Sequence, residues 1–386
     1  MTDRALLHAR ILALIDACAD GSRHDELRDE LLHDLTQYQL RTIPPYARFH
    51  SQRRVPATAT GLDKIPAIPT DAFRFARLAS HAATDDVRCF VSSGTTQDER
   101  SRHPFRDLTL YDRAARVAAR YALFPDRERM LLVVLAPPEE ALPESSLSYM
   151  LSRFMEWFGA PGSINVWRDD ALDLHALSEV LVNAEMTGTP VALLGTSFGF
   201  VHAVDGLEGS RFQLPRASRI MQTGGFKGRS RELTPSAMRA LLSDSFGVPE
   251  PYIVAEYGMT ELSSQLYETT LRDAVLHNTV RSRHLWIPGW VRAVPVDPES
   301  LLPNFPSPSP VRERGPGGEV ASGAAIPGLL RVDDPANLDS VSCIQTADLA
   351  YTEGDGIVVM GRAPGAIARG CSITADELLG KQHGKS

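Results

Sequence analysis

Little in this 386-residue chain signals an extracellular, fibrous or membrane protein. There are only four cysteines, Cys18, Cys89, Cys343 and Cys371, and no C-x-x-C pair, which excludes a zinc ribbon and a dithiol redox motif. They read as reduced thiols in cytoplasm. No window approaches the roughly 20 apolar residues that a membrane span needs. The opening stretch MTDRALLHARILALIDACAD carries acids within an amphipathic pattern and lacks the basic start and unbroken apolar run of a signal peptide. Basic excess is missing too: Lys and Arg total 40 against 48 Asp and Glu, a net charge of −8. That argues against a general binder of nucleic-acid backbones. The histidines show no zinc spacing, since His277 and His284 stand seven apart without thiol or acidic partners.

What is present is an ordinary globular composition, 43% hydrophobic and 23% charged, in a chain long enough to bury a substantial core. Helical spacing predicts helices over residues 1–40, broken at Pro44-Pro45, and again over 107–123. Residues 63–75 read as a Pro-punctuated extended segment. The apolar runs 130–136, 190–197 and 218–225 read as strands buried on both faces, with a shorter strand at 162–167. Helices at 145–158, 171–186 and 235–246 alternate with them. The rhythm predicts an α/β architecture with a largely parallel sheet. After about residue 285 short Gly/Pro-rich strands predict a small antiparallel sheet. Residues 297–319 read as a flexible surface insertion.

Three segments carry residues suited to nucleotide chemistry. In CFVSSGTTQDERSRHPF, Ser92, Ser93, Gly94, Thr95 and Thr96 follow an apolar strand end, where hydroxyls and backbone N–H groups can meet phosphate oxygens. No Gly-Lys-Ser/Thr follows, so this is not a P-loop. In AEYGMTELSS, Tyr257 can stack on a base, Thr260 can donate to a phosphate and Glu261 can hold Mg²⁺, which prefers one or two carboxylates plus phosphate oxygens. In IQTADLAYTEGDGIVVMGR, Asp348 at a strand end can accept from two sugar hydroxyls, and Arg362 follows the next strand.

The ordered set SSGTT, TGG, YGMTE, TADL and GR resembles the adenylate-forming superfamily. Within it, IPAIPTDAFRF, QTGGFKGRSREL and the ending RGCSITADEL are most similar to the LuxE-type acyl-protein synthetases, and next to phenylacetate–CoA ligases. The resemblance implies the large N-terminal domain of an adenylate-forming enzyme over residues 1–361, with mixed and parallel sheets flanked by helices and a small antiparallel subdomain. It implies a truncated C-terminal segment over 362–386. It implies ATP and Mg²⁺, with Ser92 to Thr96 on the β- and γ-phosphates, Gly224 and Gly225 bordering adenine, and Tyr257 and Gly258 against it. Thr260 would lie near the α-phosphate, Glu261 on Mg²⁺, Asp348 on the ribose and Arg362 closing the site. The substrate would be a fatty or aryl acid, activated to an acyl adenylate. The acyl group would pass to Cys371 and on to an acyl reductase, a carrier protein or CoA. Ser197, Phe198, Phe200 and His202 would line the acyl pocket. The chain departs from the superfamily pattern at Gln97, where a glycine is usual, and in the lysine that normally follows.

Three other readings compete. One is a CoA ligase, which differs in the final acceptor. Another is a non-catalytic nucleotide-binding scaffold. The third is a serine hydrolase, because GTSFG (195–199) matches G-x-S-x-G after an apolar strand, with Ser197 as nucleophile and His277 or His284 downstream.

Overall fold

The computed structural model of the chain describes residues 3–92, 100–168, 171–224, 233–279, 282–304 and 326–363. Helices α1 (Asp3–Ala17), α2 (Asp25–Thr42) and α3 (Pro44–Gln52) come first. Strand β1 (Ile68–Pro69), the helical turn α4 (Ala72–Phe75), a hairpin of β2 (Arg88–Val91) and β3 (Arg102–Phe105), and α5 (Thr109–Ala122) follow. The alternating stretch runs β4 (Leu131–Leu135), α6 (Ser146–Phe158), β5 (Ile164–Asn165), a ribbon of β6 (Trp167–Arg168) and β7 (Ala171–Leu172), then α7 (Leu174–Thr187) and β8 (Val191–Thr196). It continues through α8 (Ser197–Gly206), β9 (Arg219–Thr223), α9 (Pro235–Phe246) and β10 (Ile253–Tyr257). The last part holds β11 (Leu266–Glu268), α10 (Thr270–Leu276), β12 (Leu285–Trp286), β13 (Arg292–Val296), β14 (Gly328–Asp333), β15 (Cys343–Glu353) and β16 (Gly356–Arg362).

Among the described residues one sheet gathers most strands, in the order β5-β4-β8-β9-β10-β11-β12-β16-β15-β14-β13. From β5 to β10 every pairing is parallel; from β10 to β13 every pairing is antiparallel. The parallel strands are sandwiched. Along β4, Leu132 and Val134 join the core beneath α1, α5 and α6, while Leu131, Val133 and Leu135 join the core beneath α7, α8 and α9. The continuous apolar run at 130–136 follows from that, because both pleat faces are covered.

Local signals set several ends. Ser145, Asp173, Thr196 and Thr234 each cap a helix by accepting an N–H from three residues on. The helix predicted at 235–246 matches α9, opened by Pro235 and closed by Gly247 at φ 64°.

Four expectations change. Pro44 breaks α2 but opens α3, because a first-turn proline lacks only an N–H that has no partner there anyway. Residues 63–75 are only briefly extended: Ile68–Pro69 pairs parallel with β15, and Ala72–Phe75 turns helical. The antiparallel strands are not a separate small sheet, because β11 and β12 join them to β10. The strand expected over 190–197 ends at Thr196, and Ser197 already opens a helix, because Thr196 caps it there. In the expected insertion, Asp297 accepts from the N–H groups of Glu299 and Ser300, at 3.1 and 2.8 Å, and so turns the chain; residues 305–325 lie outside the described residues.

The antiparallel half contains a buried ion cluster. The Asp333 carboxylate accepts from Arg331 Nε and Arg292 Nη1, both at 2.8 Å, and Arg292 Nη2 reaches Asp63 at 2.6 Å. Burial works against ionisation of Asp333, but the two guanidiniums hold its carboxyl below the usual range. Asp333→Ala is expected to cost about 3–5 kcal/mol in urea denaturation, since it leaves the buried Arg331 guanidinium without its carboxylate. An unchanged midpoint would show the cluster to be dispensable.

Candidate functional site

The parallel strands end together on one edge of the sheet, the usual place for ligands in α/β proteins. There Thr223 and Gly224 close β9, and Glu256 and Tyr257 close β10. Gly224 has φ +71°, which glycine adopts without strain. The Thr223 hydroxyl donates to the Glu256 carboxylate, which is only 8% exposed. Burial pushes that carboxyl up to about 7, against the opposing pull of the Thr223 hydrogen bond. Gly258 lies close beside it: a Cβ there would lie 2.5 Å from Glu256 Oε1 and would make that side chain shift.

Tyr257 turns to the other side and meets the antiparallel half. Its hydroxyl donates to Asp348 Oδ2 at 2.8 Å across 91 residues of sequence. Burial, then the nearby Asp348 charge, raise the phenol well above its ordinary range, so Tyr257 remains a donor. Asp348 lies inside β15 rather than at a strand end, paired in register with Arg362 of β16, next to an irregularity between Leu349 and Ala350. Arg362 Nε stands 3.9 Å from Asp348 Oδ1 with its side chain 73% exposed, so this cation is only loosely held.

Thr260 and Glu261 occupy the turn between β10 and β11. Glu261 is buried, and burial raises its carboxyl above the ordinary value, while the nearby Ser101 hydroxyl and the Arg362 charge act in the opposite sense. The Thr260 carbonyl accepts from His103 Nδ1 at 2.8 Å, which fixes the proton on Nδ1 because a carbonyl can only accept. Burial brings His103 down to about 4, so the ring is neutral near pH 7. The Glu261 carbonyl accepts from Asn337 Nδ2 at 2.8 Å.

Ser92 sits on the stem of the hydroxyl-rich loop. Its N–H donates to the Ser101 carbonyl at 3.0 Å, and its hydroxyl accepts from the Ser101 N–H at 2.9 Å. Ser101 thus holds the loop stem and lies near Glu261. Ser93, Gly94, Thr95, Thr96, Gly225 and Cys371 lie outside the described residues.

The structure therefore brings Tyr257, Thr260, Glu261, Asp348 and Arg362 into one neighbourhood, with Gly224 and Gly258 at the adjoining strand ends. The expected acyl-pocket residues divide. Ser197 is buried at the start of α8, and its hydroxyl donates to the Gln222 side chain and, at 2.9 Å, to the Gly224 carbonyl. No imidazole takes that role: His284 pairs with Asp355 and His277 stands by Arg272. This removes the support for a hydrolase triad among the described residues. Phe200 is fully buried against Phe246, while Phe198 and His202 stack at 6.3 Å with His202 exposed. Cys18, Cys89 and Cys343 are free thiols; burial pushes Cys18 up to about 11 and Cys343 up to about 12, as inert structural cysteines require.

Sequence reasoning missed Ser101, His103, Glu256 and Asn337. Ser101 and His103 fall within the same loop segment as Ser92, and Glu256 immediately precedes Tyr257. Asn337 had only the signal of an Asp/Asn-rich stretch, DDPANLD. No helix among the described residues is long and apolar enough to cross a membrane. Among them no three His, Cys, Asp or Glu side chains gather as a metal cluster. A single buried carboxylate such as Glu261 still suits Mg²⁺, which keeps water and phosphate oxygens as most of its ligands.

The chain is similar to several known proteins. The profile of the family "Acyl-protein synthetase, LuxE" matches residues 2–379. The long-chain-fatty-acid–luciferin-component ligase of Aliivibrio fischeri is 20% identical over 284 residues, 72% of this chain and 71% of that protein. A luciferase-like enzyme from the nonluminescent mealworm Zophobas morio aligns with TM-score 0.45 at 16% identity, over 73% of this chain and 59% of that one. The N-terminal domain of FACL13 from Mycobacterium tuberculosis aligns with TM-score 0.44 at 11% identity, over 72% and 61%. The chain spans about three fifths of either solved structure.

The Glu256 carboxyl predicts a pH signature. Its proton is held more tightly in the folded state than at the ordinary 4.5, so its penalty on stability begins near pH 4.5 and is complete just above pH 7. Glu256→Gln should therefore gain on the wild type by about 3 kcal/mol between pH 4.5 and 7.5, read as the difference of two denaturation series. A pH-independent difference would contradict the burial of a titrating carboxyl.

Proposed function

Because the chain belongs to the LuxE family of acyl-protein synthetases, we propose that it activates a carboxylic acid with ATP as an acyl adenylate and carries the acyl group on Cys371 to a further acceptor. It is a ligase, and adenylate-forming enzymes draw on ATP. In the proposed reaction a substrate carboxylate oxygen attacks the α-phosphorus, and the bond to the β-phosphate oxygen breaks, releasing pyrophosphate. The Cys371 thiolate then attacks the acyl carbon, and the bond to the AMP phosphate breaks. The thiol proton passes to solvent, and the acyl thioester remains on the protein. Such chemistry needs a reduced cysteine, which fits a cytoplasmic setting. The likeness to a fatty-acid ligase of A. fischeri favours a long-chain acid.

The observation that carries the reading is the 2.8 Å hydrogen bond from Tyr257 to Asp348, with Glu261 in the turn that follows Tyr257. It joins an aromatic face suited to adenine, a carboxylate suited to ribose hydroxyls and a carboxylate suited to a divalent cation. The Tyr257 donor occupies one Asp348 oxygen, and the other remains for vicinal hydroxyls. Thr260 would approach the α-phosphate. Mg²⁺, when bound at Glu261, would neutralise phosphate charge as the leaving group departs. The exposed, loosely held Arg362 is free to reorient over the nucleotide. The hydroxyl loop from Ser92 to Thr96 would take the terminal phosphates.

Intact-protein mass spectrometry after incubation with Mg-ATP and a panel of fatty and aryl acids tests this. We expect a hydroxylamine-labile acyl adduct on the wild type and none on Cys371→Ser, which should still release pyrophosphate. An adduct of equal yield on Cys371→Ser would overturn the cysteine assignment. Acid-dependent pyrophosphate release without any adduct would move the acceptor to CoA or another diffusible thiol. Asp348→Ala should slow pyrophosphate release about ten- to a hundredfold, the worth of a hydrogen bond to a charged group. A wild-type rate would remove the ribose role.

A further inference from the structure

We propose that Asn337 is a positioning residue for Glu261, holding the carboxylate where it can use a divalent cation bound with the nucleotide. The inference rests on the reading of Glu261 as the cation's carboxylate.

Residues 334–342 connect β14 to β15 as a loop, yet much of it is buried, with Asp334 at 0%, Asn337 at 1% and Ser342 at 0% exposure. A turn carried inside the protein must satisfy its backbone there, and the Thr260–Ser264 turn does so in part on the side chains of this loop. Asp334 accepts from the N–H groups of Ser263 and Ser264 at 3.0 and 2.8 Å, from the Ser264 hydroxyl at 2.8 Å and from the Ala336 N–H at 3.0 Å. Asn337 donates one amide proton to the Glu261 carbonyl at 2.8 Å and the other to the Val341 carbonyl at 3.0 Å. Its Oδ1 accepts from the Ser263 hydroxyl at 2.6 Å, and its own carbonyl accepts from Gln39 Nε2 at 2.9 Å.

The geometry suits asparagine alone among the small polar residues. Both amide protons go to carbonyls on two different segments, so an aspartate would set oxygen against oxygen at each, and an alanine would leave both carbonyls buried without a donor. The Glu261 carbonyl lies one bond from its backbone carbonyl carbon and two from Cα. Fixing it fixes the direction in which the Glu261 side chain leaves the backbone. The preceding carbonyl, of Thr260, is fixed independently by His103. The Ser101 hydroxyl lies near the carboxylate itself. Both peptide planes that flank the Glu261 Cα are thus fixed, whereas Gly258 earlier in the turn is exposed. Support of this kind around a metal-binding carboxylate typically changes metal affinity 10- to 100-fold when removed.

Mn²⁺ binding followed by electron paramagnetic resonance, with the full chain and a non-cleavable α,β-methylene ATP analogue, tests the inference without relying on turnover. Glu261→Gln checks the underlying reading: it should abolish tight Mn²⁺ binding, and wild-type affinity there would remove Glu261 as the cation's carboxylate. Asn337→Ala should weaken Mn²⁺ about 10- to 100-fold. Ser263→Ala, which removes only the hydroxyl that holds the Asn337 amide, should weaken it several-fold. Ser342→Ala, which loses a hydrogen bond to Gln39 in the same network at 3.0 Å, should lower the melting temperature and leave Mn²⁺ affinity unchanged. Wild-type affinity in a folded Asn337→Ala, beside a defective Glu261→Gln, overturns the proposal. Should Asn337→Ala fail to fold, unchanged affinity in Ser263→Ala overturns it equally.

Discussion

A carboxylate buried without a neighbouring cation in its hydrogen-bond set holds the two halves of this sheet in register at their seam. Asp334 is fully buried, and burial raises its carboxyl, while four donated hydrogen bonds oppose that rise. An ion buried alone would be strongly unfavourable, and only a full set of donors makes it tolerable. Those donors come from Ser263 and Ser264, in the turn where the sheet changes from parallel to antiparallel, and from Ala336. Trp290 joins through its indole N–H, which donates to the Ser264 hydroxyl at 3.0 Å. A hydrophobic replacement of the same volume would be easier to bury but would leave the turn without a fixed path.

That path has consequences for the neighbouring residues. The strand β10 pairs parallel with β9 on one side and antiparallel with β11 on the other, so the chain must reverse between Tyr257 and Leu266. A reversal pinned at Ser263 and Ser264 leaves Tyr257 at the end of its strand, facing Asp348. It leaves Thr260 and Glu261 with their carbonyls turned back into the protein. The functional neighbourhood is thus assembled from elements distant in sequence: the hairpin that brings Ser101 and His103, the last parallel strand, and the hairpin of β15 and β16. The last parallel strand and the hairpin of β15 and β16 meet within one sheet because β11 and β12 join them.

The difference in legibility between fold and site has the same origin. Strands β4 and β8 were readable because burial on both faces writes an unbroken apolar run, and α9 because proline and glycine mark its ends. The continuity of the sheet was not, since β11 and β12 are two or three residues long and carry no periodicity. The helix at Ser197 was hidden because Thr196 looks like one more strand residue until its hydroxyl is seen to accept from the Gly199 N–H at 2.9 Å. Tyr257, Glu261, Asp348 and Arg362 stood out through short motifs. Asn337 did not, because its role depends on Glu261, 76 residues away, and on no local pattern.

The charges in this neighbourhood follow one rule. His103 is held neutral by burial, falling to about 4, and Glu256 is pushed up to about 7, so burial suppresses charge on both. The Arg362 side chain, 73% exposed, sits where water screens its charge, beside an Asp348 side chain only 16% exposed. In the proposed reaction the strongly charged groups, phosphates and cation, arrive with the substrate. They would enter a region whose own dipoles, the Tyr257 hydroxyl above all, are already oriented by the sheet. Oriented dipoles in a region of low dielectric stabilise a developing charge without having to reorganise when it forms. The fixed turn and the suppressed charge are then two aspects of one arrangement: rigid supports of low net charge, on which the polarity of the bound nucleotide can act unscreened.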